Sequence, residues 1–592
     1  MRFLAFDAET LYCTKTGYTL SRMTAEEYVR DSRFELIGFA LGYLGQPKQW
    51  YTGDLDYLRS VARSIDWSDT FVVGHNASMF DSLILTEVLG VRPAHWGCTL
   101  QLARCLHGSK DAEGKNISNS LSAVAKLYRR EIEALLGRPL EKGDEVVRAD
   151  GKRRCDFTDY ELAKYGQYCI DDTDLADAVW RVLSPKFPKS ELFLASTVTK
   201  MWAEPRIQLD TDLLAAMKVE LAERKAELLT KVADLMGVGA TMAPDERLLH
   251  TQKLLRSDLK FAELLRAFDV EPPTKLSPKR RDANGRALEV YAFSKTDQAM
   301  TELLEYEESE DEDTNLAVQA LAAARIGSKS TIAESRVDRF LGISQRGLLP
   351  VPLEYGKTLT HRLSGGGRLN MQNMSQTKPI TKRTPPNSLI VTPAGWSRLS
   401  KRAPDMSQIL DAHGRVWNTG DCHVAGLRDT LMAPPGYRLV VCDSSTIELR
   451  VAHALCGERE TVDALRRGED LYCRFASVFF SRPITKADKK ERQHGKVAML
   501  QLQYQAGAES FRKAARIMAG VRMNEVEAQA TVDIYRSTYT NRCGTAARRP
   551  SRNARRVAGS TSTTTSGCMW STTRCACRMG CESTTTTCAK SY

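Results

Sequence analysis

Four acids and a tyrosine near the amino terminus have the types and spacing of a metal-assisted phosphoryl site. Residues 3 to 9, FLAFDAE, form an apolar run ending in Asp7 and Glu9. Positions i and i+2 of a strand share one face, so both carboxylates point at one site. FVVGHNASMFDSLIL is a second apolar strand leading to Asn76, after which Phe80 and Asp81 open a helix. ELAKYGQYCIDDTDLADAVW reads as a helix with Tyr168 and Asp172 one turn apart on the same face. Clustered acids repel unless cations sit among them. Two metals about 3.5–4 Å apart would grip one phosphate and activate water for in-line attack. Asp171 and Asp174 compete with Asp172 by position; the four-residue step from Tyr168 favours Asp172. Taken singly each acid could be a solvated loop residue, a reading that fits poorly with all of them standing at element ends.

A second set surrounds GYRLVVCDSSTIELRVAHALCG, residues 436 to 457. Tyr437 to Cys442 reads as a short buried strand ending on Asp443, followed by a helix that carries Glu448 and Arg450 and stops at Gly457. A carboxylate at the tip of a buried strand is costly unless its charge is offset. A divalent metal on a phosphorylated substrate would offset it; a plain helix-capping role is the alternative. In TKADKKERQHGKVAMLQLQYQAG, residues 485 to 507, Arg492, Lys496, Leu500 and Tyr504 recur every four residues along one helix face. Two cations there can hold a triphosphate while an apolar side chain and a ring pack on a base; ordinary surface charge is the alternative. THRLSGGGRLNMQNM has three glycines that permit close backbone approach to a ligand. Its Arg362, Arg368, Asn370, Gln372 and Asn373 supply donors suited to sugar, phosphate and minor-groove acceptors. In LAAARIGSKSTI, Arg325 and Lys329 stand four apart, either as phosphate contacts or as a solvated face.

DSSTIELR resembles the first palm motif of family A DNA polymerases, usually D-Y-S-Q-I-E-L-R, with Ser444 and Thr446 departing from the usual Tyr and Gln. The lead-in LRDTLMAPPGYRLVVCD and the Arg325–Lys329 block resemble phage members of that family. The amino-terminal set resembles the D-x-E, N-x-x-x-F-D and Y-x-x-x-D motifs of proofreading 3′–5′ exonucleases. That resemblance implies that Asp7, Glu9, Asp81 and Asp172 hold metals, that Tyr168 helps orient the attacking water, and that Asn76 supports the second motif. THRLSGGGRLNMQNM resembles T-G-R-L-S…N-L-Q-N, with His361 in place of Gly, which implies that Arg362 contacts the primer end. The 492–504 series resembles the fingers motif R-x-x-x-K-x-x-x-[FY]-x-x-x-Y. By that resemblance Arg492 and Lys496 bind incoming phosphates and Tyr504 packs near the template base, while Leu500 replaces the usual aromatic. Asp443 would hold two Mg²⁺ with a further aspartate, Mn²⁺ being an alternative, and Glu448 would position the nucleotide.

The elements that must position these residues set the expected architecture. The chain has 592 residues, enough for three or four domains, with 42% hydrophobic residues for their cores. The fold class expected is α/β. A ribonuclease-H-like exonuclease domain (1–190) precedes a right-hand polymerase: a thumb-like helical region (191–350), a palm with an antiparallel sheet (351–460) and helical fingers (461–540). TDLLAAMKVELAERKAELLTKVADLM, 211 to 236, is the long helix of that middle region. Residues 277 to 287 read as a polar loop, 306 to 313 as a solvated acidic turn, and 378 to 425 as an irregular insertion. No run of 18 apolar residues is present and the chain opens directly into a strand, so no membrane partner, no signal peptide and a cytoplasmic location are expected.

Net charge is +11, but residues 541 to 592 hold eight Arg, one Lys and a single acid, Glu582. The remainder carries only +3, so overall basicity says little about nucleic acid. The same tail has 11 Thr, seven Ser and six of the 15 Cys, but no Leu, Ile or Phe, and cannot build a core. After Asp533 there is no aspartate, so the third palm motif, a His-Asp-Glu turn, is missing. A disordered basic tail is one account. The favoured one is translation in a shifted frame from about residue 541, leaving the palm incomplete. The function expected is therefore a DNA polymerase with a complete 3′–5′ exonuclease and impaired polymerisation, acting on primed template, dNTPs and single-stranded 3′ ends. An exonuclease alone, or a non-catalytic primer-template binder, are the alternatives.

Overall fold

β1 (Arg2–Thr10) lies at the centre of the amino-terminal sheet and carries its first two acids. β2 (Leu36–Tyr43), β3 (Gln49–Thr52), β4 (Thr70–Gly74) and β5 (His95–Cys98) complete that sheet in the order β3-β2-β1-β4-β5. β1 runs antiparallel to β2, with Asp7 opposite Ala40 and Glu9 opposite Gly38, and parallel to β4. β4 reads TFVVG and is buried along its whole length, as a strand covered on both faces must be. The computed structural model describes residues 1–548 except 110–114, 141–146, 240, 295–296, 305, 307–311, 330–331, 359–360, 375–376 and 522. Two compact units result, Met1–Leu439 and Val440–Tyr592.

The helix Asp159–Leu183 closes one face of the sheet. A reciprocal cap between Thr158 and Glu161 starts it. Its approach depends on two glycines: a Cβ on Gly38 or Gly166 would lie 2.4 Å from the Trp50 ring. The indole fills the gap that these absent side chains leave. The core beneath the sheet is built from Phe6, Phe39, Tyr28, Val72 and Trp96.

The middle of the first unit is helical, as its 3.6-residue periodicity requires. The predicted long helix spans Thr211–Leu235 and is capped by Asp210, whose carboxylate accepts from the Leu213 amide at 2.8 Å. Its far end packs with Phe261, Phe293, Met300 and Leu321. Two expectations fail here. Residues 277–287 are not a loop but part of a hairpin, Thr274–Arg281 with Ala287–Tyr291, whose turn is closed by Asp282 accepting from the Asn284 and Arg286 amides. Residues 378–425 are not irregular. They form a six-stranded antiparallel sheet around Ile390, Leu399 and Ile409, with Gly395–Arg402 as its longest strand. Apart from that strand its members are two to four residues long, too short for their alternation to be seen in sequence, and GWSRLSKR carries only two strong apolar positions.

A third correction concerns Tyr437–Cys442. This segment is not a strand, and Val440 and Val441 are 88% and 93% exposed. Among the described residues no strand pairs with it. An apolar alternation becomes a strand only when a partner takes up its amides and carbonyls.

The second unit, as described, is a helical cluster: Ile447–Leu455, Arg459–Arg466, Leu471–Phe479, Lys489–Leu502, Ala508–Ala519 and Glu525–Arg548. Phe475, Val497, Phe511, Val532 and Tyr535 form its core. Of the 541–592 tail, the residues from 549 onward lie outside the described residues, as does most of the 306–313 acidic run. No described helix is long and apolar enough to cross a membrane.

Candidate functional site

In the first unit, three elements bring the predicted acids to one place. β1 presents Asp7 and Glu9 side by side. The helix Asp159–Leu183 presents Tyr165, Tyr168, Cys169 and Asp172 along one face. Asp81 arrives from the turn after β4: Asn76 adopts a left-handed φ of 64°, and its carbonyl accepts from the Met79 and Phe80 amides at 3.0 and 3.3 Å. Gly74 makes that tight turn feasible, since a Cβ there would lie 2.8 Å from the Phe6 carbonyl and 2.9 Å from Ala77. His75, beside it, bonds Thr99 at 2.8 Å; burial and then the Arg104 charge push its pKa down to about 4.

The electrostatics are those of acids crowded without counter-charge. Burial, then the Asp172 charge, push Asp7 from its ordinary 3.8 up to about 7. Burial, then Asp7 and Glu9, raise Asp81 well above the usual range. Asp81 is 2% exposed and its Oδ1 has no hydrogen-bond partner. A buried, unsatisfied carboxylate oxygen among like charges is the strongest sign that a cation belongs there. The donor set, mostly hard carboxylate oxygen, fits Mg²⁺ or Mn²⁺. Asp172 rather than its neighbours acts on Asp7: Asp171 pairs with Arg138 at 2.7 Å, and Asp174 lies 3.7 Å from the buried Lys48. Tyr168 hydrogen-bonds Asp172, and burial followed by that charge raises its phenol.

Two groups here were missed from sequence. The Tyr165 hydroxyl donates to Glu9 Oε2 at 2.6 Å. The Cys169 thiol reaches the Asp7 carbonyl at 3.5 Å and its Oδ2 at 3.7 Å. Their spacing relative to Asp172, seven and three residues, places them on the same helix face and was the available signal.

Arg325 is not a phosphate contact. It is fully buried, donates to the Leu255 carbonyl at 2.6 Å and to Asp258, and lies between the Phe261 and Phe293 rings at 4.4 and 4.7 Å. Its cation is consumed in holding helices together. The Lys329 side chain lies outside the described residues. The glycine-rich loop also differs from expectation. A Cβ on Gly365 would lie 2.9 Å from Asn370, and one on Gly366 2.8 Å from Glu354, so these glycines let the loop fold upon its own chain. Arg368 is occupied by the Arg22 and Ser21 carbonyls. Arg362, Asn370, Gln372 and Asn373 remain exposed, the last three around a short turn at Met371–Asn373.

In the second unit, Arg492 and Lys496 lie one turn apart on Lys489–Leu502. Arg492 pairs with Asp470 at 2.8 Å and covers the Tyr472 ring at 5.4 Å. Burial works to raise Asp470, but the Arg492 hydrogen bond and charge together with the Cys473 and Tyr472 amides outweigh it and hold Asp470 low. Leu500 packs against the helical core, so only part of it remains for a base. The helix ends before Tyr504, which is exposed and donates to Glu448 at 3.0 Å. Asp443 is exposed on the unpaired segment, not at the tip of a buried strand.

Residues 371–555 match the model of DNA polymerase family A. The chain is 33% identical over 126 residues to the DNA polymerase I of Chloroflexus aurantiacus, covering 21% of this chain and 12% of that protein. It is 30% identical over 130 residues to the DNA polymerase I of Aquifex aeolicus, covering 21% and 22%. It is 31% identical over 148 residues to that of Pseudomonas aeruginosa, covering 25% and 14%. The matches thus span less than a quarter of these relatives. Among solved structures, the POL domain of Pol1 from M. smegmatis, in complex with DNA primer-template and dNTP, is similar in fold, with a TM-score of 0.51 at 17% identity over 91% of this chain and 73% of that one.

Proposed function

We propose that this chain, which carries a family A DNA polymerase domain of the polymerase I kind, is a template-directed DNA polymerase with a 3′–5′ proofreading exonuclease at its amino terminus. The observation that carries this reading is the gathering of Asp7, Glu9, Asp81 and Asp172 around the unsatisfied Asp81 oxygen, on a chain that also holds that domain. Mg²⁺ or Mn²⁺ bound among these acids would supply Lewis-acid activation and charge neutralisation. Tyr165 fixes the rotamer of Glu9. Tyr168, tied to Asp172, orients the attacking water, and the Asn76 turn sets the height of Asp81. In the polymerase half, Arg492 and Lys496 take the incoming phosphates; Arg492 must exchange Asp470 for them. Glu448 and Tyr504 brace one another at the nucleotide end, with Leu500 alongside. Asp443 is the metal ligand, and Arg362, Asn370, Gln372 and Asn373 contact the primed template.

A second reading, a 3′–5′ exonuclease whose polymerase half is unfinished, is favoured by one observation. Asp443 stands on an exposed segment that no described strand pairs. One assay separates the two. Labelled primer-template is given Mg²⁺ with and without dNTPs. Shortening without dNTPs and extension with them supports the first reading; shortening in both arms supports the second. A gel shift with neither overturns both.

A further inference from the structure

The nuclease pocket contains one donor that a hard-metal phosphoryl site has no use for. Cys169 is fully buried, and one ligand atom each from Asp7, Glu9 and Cys169 lie within 4.8 Å of one another. The thiol is held in that direction by its contacts to Asp7. An independent sign points to a ligand nearby: the Asp81 Oδ1 is buried and unpartnered, on a carboxyl that feels the charges of Asp7 and Glu9. Sulfur prefers borderline and soft cations, whereas carboxylates accept either kind. Two carboxylates and a thiolate leave a fourth position open, which is the usual arrangement around zinc.

We propose that Asp7, Glu9 and Cys169 form a thiophilic metal site that takes Zn²⁺ or Cd²⁺ and thereby inhibits the nuclease. On binding, the S–H bond breaks, the proton passes to solvent and a sulfur–metal bond forms; no redox change is involved. Asp7 and Glu9, once engaged together with Cys169, would no longer be available to the hard cation that the nuclease requires. The inhibitory consequence rests on the exonuclease reading above; the binding does not.

The test titrates the full-length chain with Cd²⁺ in the absence of Mg²⁺ and follows the ultraviolet sulfur-to-cadmium charge-transfer band. The wild type is expected to show a saturable band that Cys169→Ala and Cys169→Ser lose, that Asp7→Asn weakens at least tenfold in affinity, and that Cys155→Ala, an exposed-thiol control, retains. Thermal melting establishes that each variant is folded; the serine variant keeps the volume should alanine not fold. A band unchanged in folded Cys169→Ser overturns the proposal. In parallel, primer shortening is measured in Mg²⁺ with and without Cd²⁺, as a ratio for each protein. Cd²⁺ is expected to suppress the wild type at least tenfold more than the serine variant, and equal suppression overturns the inhibitory part. If Mg²⁺ alone supports no shortening, the exonuclease reading fails while the band still decides whether the metal site exists.

Discussion

Asp81 and Asp7 are the residues on which the amino-terminal chemistry turns, and they make opposite demands on pH and metal. A carboxylate raised in the folded state binds its proton more tightly there than in the unfolded chain. Between 3.8 and about 7 the folded state therefore holds more protons at Asp7, and stability falls as pH rises through that window. In chelator the first unit is expected to melt at a higher temperature at pH 5 than at pH 8, with Mg²⁺ narrowing the gap by stabilising the ionised form. A melting temperature that rises with pH in chelator would contradict this. Asp81→Asn removes one of the crowded charges. It is expected to raise the chelator melting temperature while abolishing Mg²⁺-dependent shortening of single-stranded 3′ ends. Tyr165→Phe deletes only the hydroxyl that donates to Glu9 at 2.6 Å. A loss of about 0.5–1.5 kcal/mol of positioning is expected, read as a several-fold weaker Mg²⁺ requirement curve with the fold intact.

At the scale of elements, the helix Asp159–Leu183 decides whether those residues meet. Trp50 is wedged between Gly38 and Gly166, with no room for a Cβ at either. Gly166→Ala is expected to cost about 1–3 kcal/mol by overpacking and to reduce nuclease activity by displacing Asp172, measured as a lowered melting temperature together with lost shortening. The Arg325 helix illustrates the converse. Arg325→Ala leaves the Leu255 carbonyl unpaired and a void between two rings, for about 2–4 kcal/mol of lost stability, while DNA affinity of the folded fraction stays as it was. Helices and their faces were legible in sequence because periodicity is local: Tyr168 and Asp172 fall together without knowledge of the rest. What was illegible depended on distant partners. Arg325 reads in sequence as a phosphate contact or a solvated cation, and only Phe261 and Phe293, distant in the chain, bury it. Tyr437–Cys442 looked like a strand but has no described neighbour. Residues 378–425 became a sheet through the pairing of one longer strand, Gly395–Arg402, with strands too short to announce themselves.

At the scale of the whole molecule, the boundary between the two units falls between Leu439 and Val440, within the exposed segment. Arg438 is exposed there too. Limited trypsin treatment is expected to cut after Arg438 earlier than after the buried Arg325, releasing a first piece that keeps the four carboxylates and its shortening activity. Persistence of the Arg438–Leu439 bond after other exposed sites are cut would refute this. The reading of an unfinished polymerase half belongs to the same scale, because a point change in Val440–Arg548 cannot give the exposed segment around Asp443 a partner strand. Restoring the alternative reading frame from about codon 541 is expected to confer extension on primed template where point changes do not.

The bare valines at 440 and 441 also bear on how the protein behaves in a tube or a crowded cell. Between Arg438 and Asp443 lies a short apolar, hydrogen-bond-hungry ribbon that invites the same ribbon on a neighbouring molecule. Concentrated preparations should therefore cloud through edge-to-edge stacking, and Val441→Lys should clear them while leaving the carboxylates of the first unit as they are.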